Sequence, residues 1–335
     1  MKPKKKRQHY VPKFYLRNFS FKKPNSRNKA HYVHFFDKPS ESHGFDNIKN
    51  LAQEKYFYDI NDNQTIENRL SKLEYDASKI IKSIIDDESV ELLEIKKTKA
   101  ILAVFLIIQD IRTKKMREAP KNFATKVKSK ILKEYGGMGE KLAKDFEKAI
   151  KKEHNKNFHL TWFFNKPALN SFSNMLFYKK WILIVNNNEI PFWTSDTPVV
   201  RFNPFDLSPY GNLGFMSAGI QLYFPLSPKL CLCLLDPKIY RNYKKMEYVH
   251  PYYIQLNTMK SEIYQAELMD VLFQNKLHVE QCLRQLYSNS YDFGLARETI
   301  NKNPKLKDIK NNMDLSILKG QNGHNDIIHL RNHSC

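Results

Sequence analysis

Residues 180–194 read Lys-Trp-Ile-Leu-Ile-Val-Asn-Asn-Asn-Glu-Ile-Pro-Phe-Trp-Thr. β-branched and aromatic residues fill both ends and three asparagines interrupt the middle, so a β-hairpin is expected, with strands at 181–185 and 190–194. Upstream of this stretch the apolar residues recur with a helical period, and downstream they recur with the period of strands. The fold class is decided here.

Downstream, Leu222-Tyr223-Phe224 reads as a strand, and so does Leu230-Cys231-Leu232-Cys233-Leu234-Leu235. The second has two apolar faces, Leu230, Leu232 and Leu234 on one and Cys231, Cys233 and Leu235 on the other, which marks a central strand covered on both sides. Upstream, Ile66, Leu70, Leu73, Ala77, Ile80, Ile81 and Ile84 recur at threes and fours behind an N-cap at Asn63 or Thr65, predicting an amphipathic helix. A second helix is expected over about 91–115. Its run 100–108 is apolar all round, the pattern of a buried central helix.

Lysine-studded helices are expected over 114–156, broken at Gly136-Gly137, and another helix over 160–178. A last helix is expected over 258–274. Near the beginning, His31-Tyr32-Val33-His34-Phe35-Phe36-Asp37 reads as a strand, 38–49 as a polar loop, and Tyr56-Phe57-Tyr58 as a short strand. The fold expected is α+β, a helical middle between a small N-terminal sheet segment and a C-terminal, mainly antiparallel sheet. One domain over 1–300 is expected, mainly helical in 65–178 and mainly strand in 180–236, followed by a polar, flexible tail over 301–335.

Residues 8–19, Gln-His-Tyr-Val-Pro-Lys-Phe-Tyr-Leu-Arg-Asn-Phe, set polar groups among large rings directly after a lysine run. Pro12 suits the start of a short helix anchored by Phe14, Tyr15, Leu16 and Phe19. His9, Arg17 and Asn18 then need partners wherever they are buried. This segment resembles the opening of a bacterial family known by its His-Tyr-Val-Pro signature and catalogued as domain of unknown function 4238. Further matching stretches are 50–59, Ile66-Glu67 with Leu73-Glu74, Gln109 with Arg112-Thr113, 191–199 and 224–228, so the resemblance spans roughly residues 8 to 275. It implies a family and transfers no chemistry.

The 335 residues carry a formal charge of +20, which points to a polyanionic partner such as nucleic acid. Yet 44 of the 55 basic residues are lysine, a bias that AT-rich codon usage also produces. No apolar run is long enough to cross a bilayer, no signal peptide is visible, and Cys231, Cys233, Cys282 and Cys335 form no disulfide pattern, so no membrane partner and a cytoplasmic location are expected. Walker loops, dinucleotide-binding glycines and nucleophile elbows are absent. Cys231-x-Cys233 lacks a second ligand pair for zinc, and His324, His329 and His333 with Cys335 fall in the tail.

Three residues carry the catalytic expectation. His9 titrates near neutrality and is the candidate acid or base, or else it locks the amino terminus onto a backbone carbonyl. Asp196, within Thr194-Ser195-Asp196-Thr197-Pro198, orients His9 or binds metal, or else completes a turn. Arg112 steadies phosphate charge, or else bridges to Glu67, Glu74 or Asp196. Tyr10, Arg17, Asn18, Gln109, Thr194, Ser195, Glu67 and Glu74 are the supporting candidates. Glu67 and Glu74 share a helix face, and Asp196 with Glu67 is the candidate pair for a divalent metal.

Together these give a nucleic-acid-directed phosphodiesterase as the expected function. The alternative is a non-catalytic module that binds or senses nucleic acid or protein, with a host-defence setting compatible with either.

Overall fold

The computed structural model describes residues 7–22, 30–58, 65–119, 165–205, 213–236 and 262–309, with helical positions 132, 140, 141, 144, 145 and 148. The Asn63 cap, the Gly136-Gly137 break and the tail histidines lie outside the described residues, as do most of the lysine-studded helices expected over 114–156. The chain opens with β1 (Arg7–His9), the short helix α1 (Lys13–Arg17), β2 (Phe21–Lys22), β3 (His31–Asp37), β4 (Ser42–Asn47) and β5 (Gln53–Lys55). The helices α2 (Thr65–Asp87), α3 (Lys96–Ile111) and α4 (Lys166–Phe177) follow. Then come β6 (Lys180–Asn186), β7 (Thr194–Ser195), β8 (Val200–Phe202), β9 (Gln221–Pro225), β10 (Leu230–Leu235) and β11 (Ile263–Ala266). The described chain closes with α5 (Leu268–Gln281), β12 (Gln285–Ser288) and α6 (Gly294–Lys302).

Among the described residues two larger sheets form. The first has the order β11-β6-β10-β9-β8 and is antiparallel except where β11 runs parallel to β6. The second has the order β2-β3-β12-β7, with β4 on the free edge of β3. The α+β reading therefore holds, with one change of plan. The N-terminal strands and the late strands are not separate sheets, because β12 pairs with both β3 and β7 and ties the two ends of the chain into one.

Stretch 180–194 is not a hairpin. β6 has β10 on one edge and β11 on the other, leaving no edge for a return strand. After the turn, which the Asn186 side chain closes by accepting from the Asn188 N–H at 2.9 Å, the chain leaves the first sheet and enters the second at β7. Four other expectations shift. Residues 42–47 are a strand: β4 has no buried side chain and is held by its antiparallel pairing with β3, which leaves no apolar alternation to read. The strand near Tyr56 sits earlier, at β5. The helix expected over 258–274 begins only at Leu268, because β11 occupies 263–266. Beyond 301 the chain continues as a 3-10 turn, Pro304–Lys307, that buries Leu306.

β10 is the covered central strand its two apolar faces foretell. Leu230, Leu232 and Leu234 join the core packed under α2, α3 and α4, whereas Cys231, Cys233 and Leu235 join the core under α5. α3 is buried over most of its length. The amino-terminal segment is anchored in the same core: Tyr15, Leu16 and Phe19 are fully buried, each worth roughly 1.5–3 kcal/mol of apolar burial. The Tyr15 hydroxyl donates to the Pro225 carbonyl at 2.6 Å and meets the Thr194 hydroxyl at 2.7 Å. α1 thus wedges between β9 of the first sheet and β7 of the second.

Candidate functional site

The residues singled out in the sequence gather into two buried polar networks, one on either side of Tyr10. The first surrounds Arg112, at the carboxy-terminal end of α3 and 1% exposed. Its Nη1 donates to Glu74 Oε1 at 2.7 Å, its Nε to the Tyr58 hydroxyl at 3.0 Å, and its Nη2 to the carbonyl of His9 at 2.6 Å. Burial works against the guanidinium charge, but Tyr58 and Glu74 outweigh it and hold the pKa above the ordinary arginine value. One turn earlier, Gln109 Nε2 donates to the Tyr10 carbonyl at 3.0 Å. The side chain of Gln8 accepts from the Tyr58 N–H at 2.6 Å. Of the partners foreseen for Arg112, Glu74 is the one it takes. Glu67 joins Glu74 in acting on Tyr58, as their shared helix face requires.

The motif is therefore held largely through its backbone. His9 offers its carbonyl, while its ring faces the backbone of Ile48 and Lys49, with Nε2 buried and without a hydrogen-bond partner among the described residues. Burial, with help from Lys13, pushes the imidazole pKa down to about 4. Tyr10 and Val11 donate their N–H groups to the carbonyl of Ala52. Ala52 itself sits in the left-handed region at φ 46, a conformation that costs a non-glycine residue on the order of 1–3 kcal/mol and persists only where the surroundings fix it.

The second network surrounds Asp196. Its Oδ1 accepts from the Leu283 N–H at 2.9 Å, and its Oδ2 accepts from the N–H groups of Arg284 and Gln285 at 2.8 and 3.1 Å. Asp196 thus closes the turn between α5 and β12. Burial dominates its electrostatics and raises the carboxyl pKa, against the pull of those amides and of Lys38. Next to it Ser195 Oγ donates to the Thr197 carbonyl at 2.8 Å and meets His278 Nδ1 at 3.1 Å. Thr194 belongs to Tyr15, and Asn18 Nδ2 donates to the Leu226 carbonyl at 3.0 Å. Arg17 is exposed.

Among the described residues no hydrogen bond or ion pair joins His9 to Asp196, or Arg112 to Asp196. The composite centre of His9, Arg112 and Asp196 is thus not assembled. The motif reaches Asp196 through Tyr10 instead: burial first, then Asp196 and Glu54, raise the pKa of the Tyr10 hydroxyl. Asp196 and Glu67 lie in different networks. No three His, Cys, Asp or Glu side chains gather as a metal cluster among the described residues.

Several participants escaped the sequence reading. Lys38 is fully buried and donates to the carbonyls of Val279 and Cys282 at 3.1 and 2.7 Å. Lys115 donates to the Gln281 carbonyl at 2.8 Å, and burial together with Lys38 pushes its pKa down to about 8. Neither carries a local signal, since a lone lysine among many reads as surface. Tyr58 stood within a matching stretch and was legible in principle.

The family model described as protein of unknown function (DUF4238) matches residues 7–292. The chain belongs to this family. The match runs from β1 to just beyond β12, so the family unit includes both networks and both sheets. No curated protein and no solved structure matches the chain. No helix among the described residues is long and apolar enough to cross a membrane.

Proposed function

We propose that this family member is a nucleic-acid-binding module, working in a reducing, cytoplasmic setting that suits its buried free thiols. The observation that carries the reading is the excess of basic over acidic groups, 55 against 35. Glu74 pairs with Arg112, Asp110 with Arg201, Glu54 with Arg117 and Asp37 with Arg284, and each pair takes up one acid and one base alike, so the excess of 20 basic groups is left unbalanced. An excess of positive charge attracts phosphate and releases its condensed counterions. The groups expected to do chemistry are likewise committed, Arg112 to three acceptors and Asp196 to three amides, which favours binding over catalysis.

A second reading, a phosphodiesterase with or without a divalent metal, draws on one observation. Tyr10 and Lys38 both act electrostatically with a buried Asp196. Fluorescence anisotropy with labelled RNA and DNA, repeated over a range of salt concentrations and with magnesium or manganese, tests both. Binding that weakens steeply in log–log form, without cleavage, is the outcome expected. Absence of binding at low salt overturns the nucleic-acid reading. Cleavage that Tyr10→Phe removes while the melting temperature holds establishes the phosphodiesterase.

A further inference from the structure

We propose that the cavity at the amino-terminal end of α3 binds a free amino acid with an apolar or aromatic side chain, an inference that stands apart from the nucleic-acid reading above. The cavity measures about 180 Å³ and lies where four elements meet: the 3-10 turn Glu91–Glu94, the first turn of α3, the end of α4 and the start of β6. A cavity of roughly 150 Å³ takes up a benzene ring, whereas drug-sized ligands occupy roughly 300–1,000 Å³, so this space admits one ring or one branched aliphatic side chain. Its apolar wall is Val90, Leu93, Phe177 and Trp181. The Trp181 ring is held in place by its Nε1, which donates to the Leu176 carbonyl at 2.9 Å.

Two bases and two acids complete the lining, Lys96 and Lys99 with Glu94 and Glu262. Among the described residues none of these four side chains enters an ion pair. The Lys99 ammonium rests instead over the rings of Phe177 and Trp181, 5.5 and 5.7 Å from their centroids. Burial lowers its pKa, and Glu262 acts against that shift. A half-buried ammonium without a carboxylate partner carries a desolvation cost that a ligand carboxylate offsets.

The helix adds to this need. α3 opens Lys96-Lys97-Thr98-Lys99, with no acidic residue in its first turn and no side chain capping its end. Cations are unfavourable at the positive end of a helix dipole, and the first N–H groups of a helix have no partner within it. A carboxylate between Lys96 and Lys99, which are three residues apart and so share a face, relieves both.

The two acids narrow the ligand class. A plain anion would gain from the lysines and be repelled by Glu94 and Glu262, and a plain cation would meet the reverse. A zwitterion suits both signs: its carboxylate goes to Lys96, Lys99 and the helix end, its ammonium to Glu94 and Glu262, and its side chain to the apolar wall. A free α-amino acid is a zwitterion of this size.

Isothermal titration calorimetry of the full chain with L-phenylalanine and L-leucine, up to millimolar concentration, tests the assignment. Saturable binding at one site per chain is expected. Removing either charge of the ligand, as in phenylpropionate or phenylethylamine, should weaken binding by roughly 10- to 150-fold, the worth of a hydrogen bond to a charged group. Lys99→Met keeps the apolar stem, removes the ammonium and should weaken phenylalanine by the same factor. Glu94→Gln, at an exposed position, should weaken phenylalanine but not phenylpropionate. If Lys99→Met fails to fold, Glu94→Gln decides. Absence of saturable heat with both amino acids overturns the site. So does equal affinity for phenylalanine and either singly charged analogue, and so does native phenylalanine affinity in either variant at an unchanged melting temperature. All of these outcomes leave the nucleic-acid reading as it was.

Discussion

His278 shows how one residue makes this fold sensitive to acid. Its ring is fully buried, Nδ1 is used by Ser195, and Nε2 has no hydrogen-bond partner among the described residues. Burial pushes its pKa down to about 3, below the 6.5 of an unfolded histidine. A base whose folded pKa is lowered binds more protons when unfolded, so stability is full above about pH 6.5 and is lost as pH falls toward the folded value. His9 adds to the same window from about 4 upward. Urea unfolding midpoints measured from pH 7 to pH 4 should fall steeply, and His278→Asn should flatten the curve. The limit set by His278 alone is on the order of 5 kcal/mol at full protonation. A flat profile in the native chain would show that the ring finds a proton acceptor when folded. At this scale sequence served unevenly: His9 stood out because its motif did, while His278 sat unremarked in a helix, with its partner Ser195 on a strand far earlier in the chain.

The clasp formed by β1, α1 and β5 is the element most dependent on one side chain. Arg112 presents a planar fork to Glu74, Tyr58 and the His9 carbonyl at once, a geometry that a lysine ammonium does not reproduce. Arg112→Lys should cost roughly 2–4 kcal/mol and should raise amide exchange around Tyr10 and Leu16 more than in α3, as read by hydrogen exchange with mass spectrometry. Uniform loss of protection would instead make Arg112 a support of the whole core. Elements were legible wherever burial writes itself into an alternation: β10 and α2 were read nearly whole from Leu230 to Leu235 and from Ile66 to Ile84. β4 writes no such pattern, because none of its side chains is buried. Residues 190–194 read as a hairpin partner of 181–185 because the sequence shows which segments can be strands, whereas the choice of neighbour depends on β10 and β11, some fifty and eighty residues away.

For the molecule as a whole, the decisive join is β12, which lies between β3 from the start of the chain and β7 from its middle. The turn ahead of β12 also supplies the three amides that satisfy Asp196. A chain ending at residue 282 would leave β3 and β7 without their common neighbour and a buried carboxylate without donors. It should show no cooperative thermal transition, whereas the full chain should show one transition that coincides by circular dichroism and by tryptophan fluorescence. A cooperative transition in the shortened chain would make the first sheet an independent unit. The α+β class was readable from the change of period near Lys180, but the union of the two ends was not, since no local pattern in 31–37 points to 285–288.

Cys231 and Cys233 are sealed between the first sheet and α5, and Cys282 lies in the separate core beneath α6. Burial raises all three thiols, Cys282 to about 11, so in the closed molecule they are protonated and inert to alkylating reagents. The chain thereby carries two built-in clocks. The rate at which a thiol reagent captures the β10 pair times the lifting of α5, and capture at Cys282 times the parting of α6 from the strands that hold the two ends of the chain together.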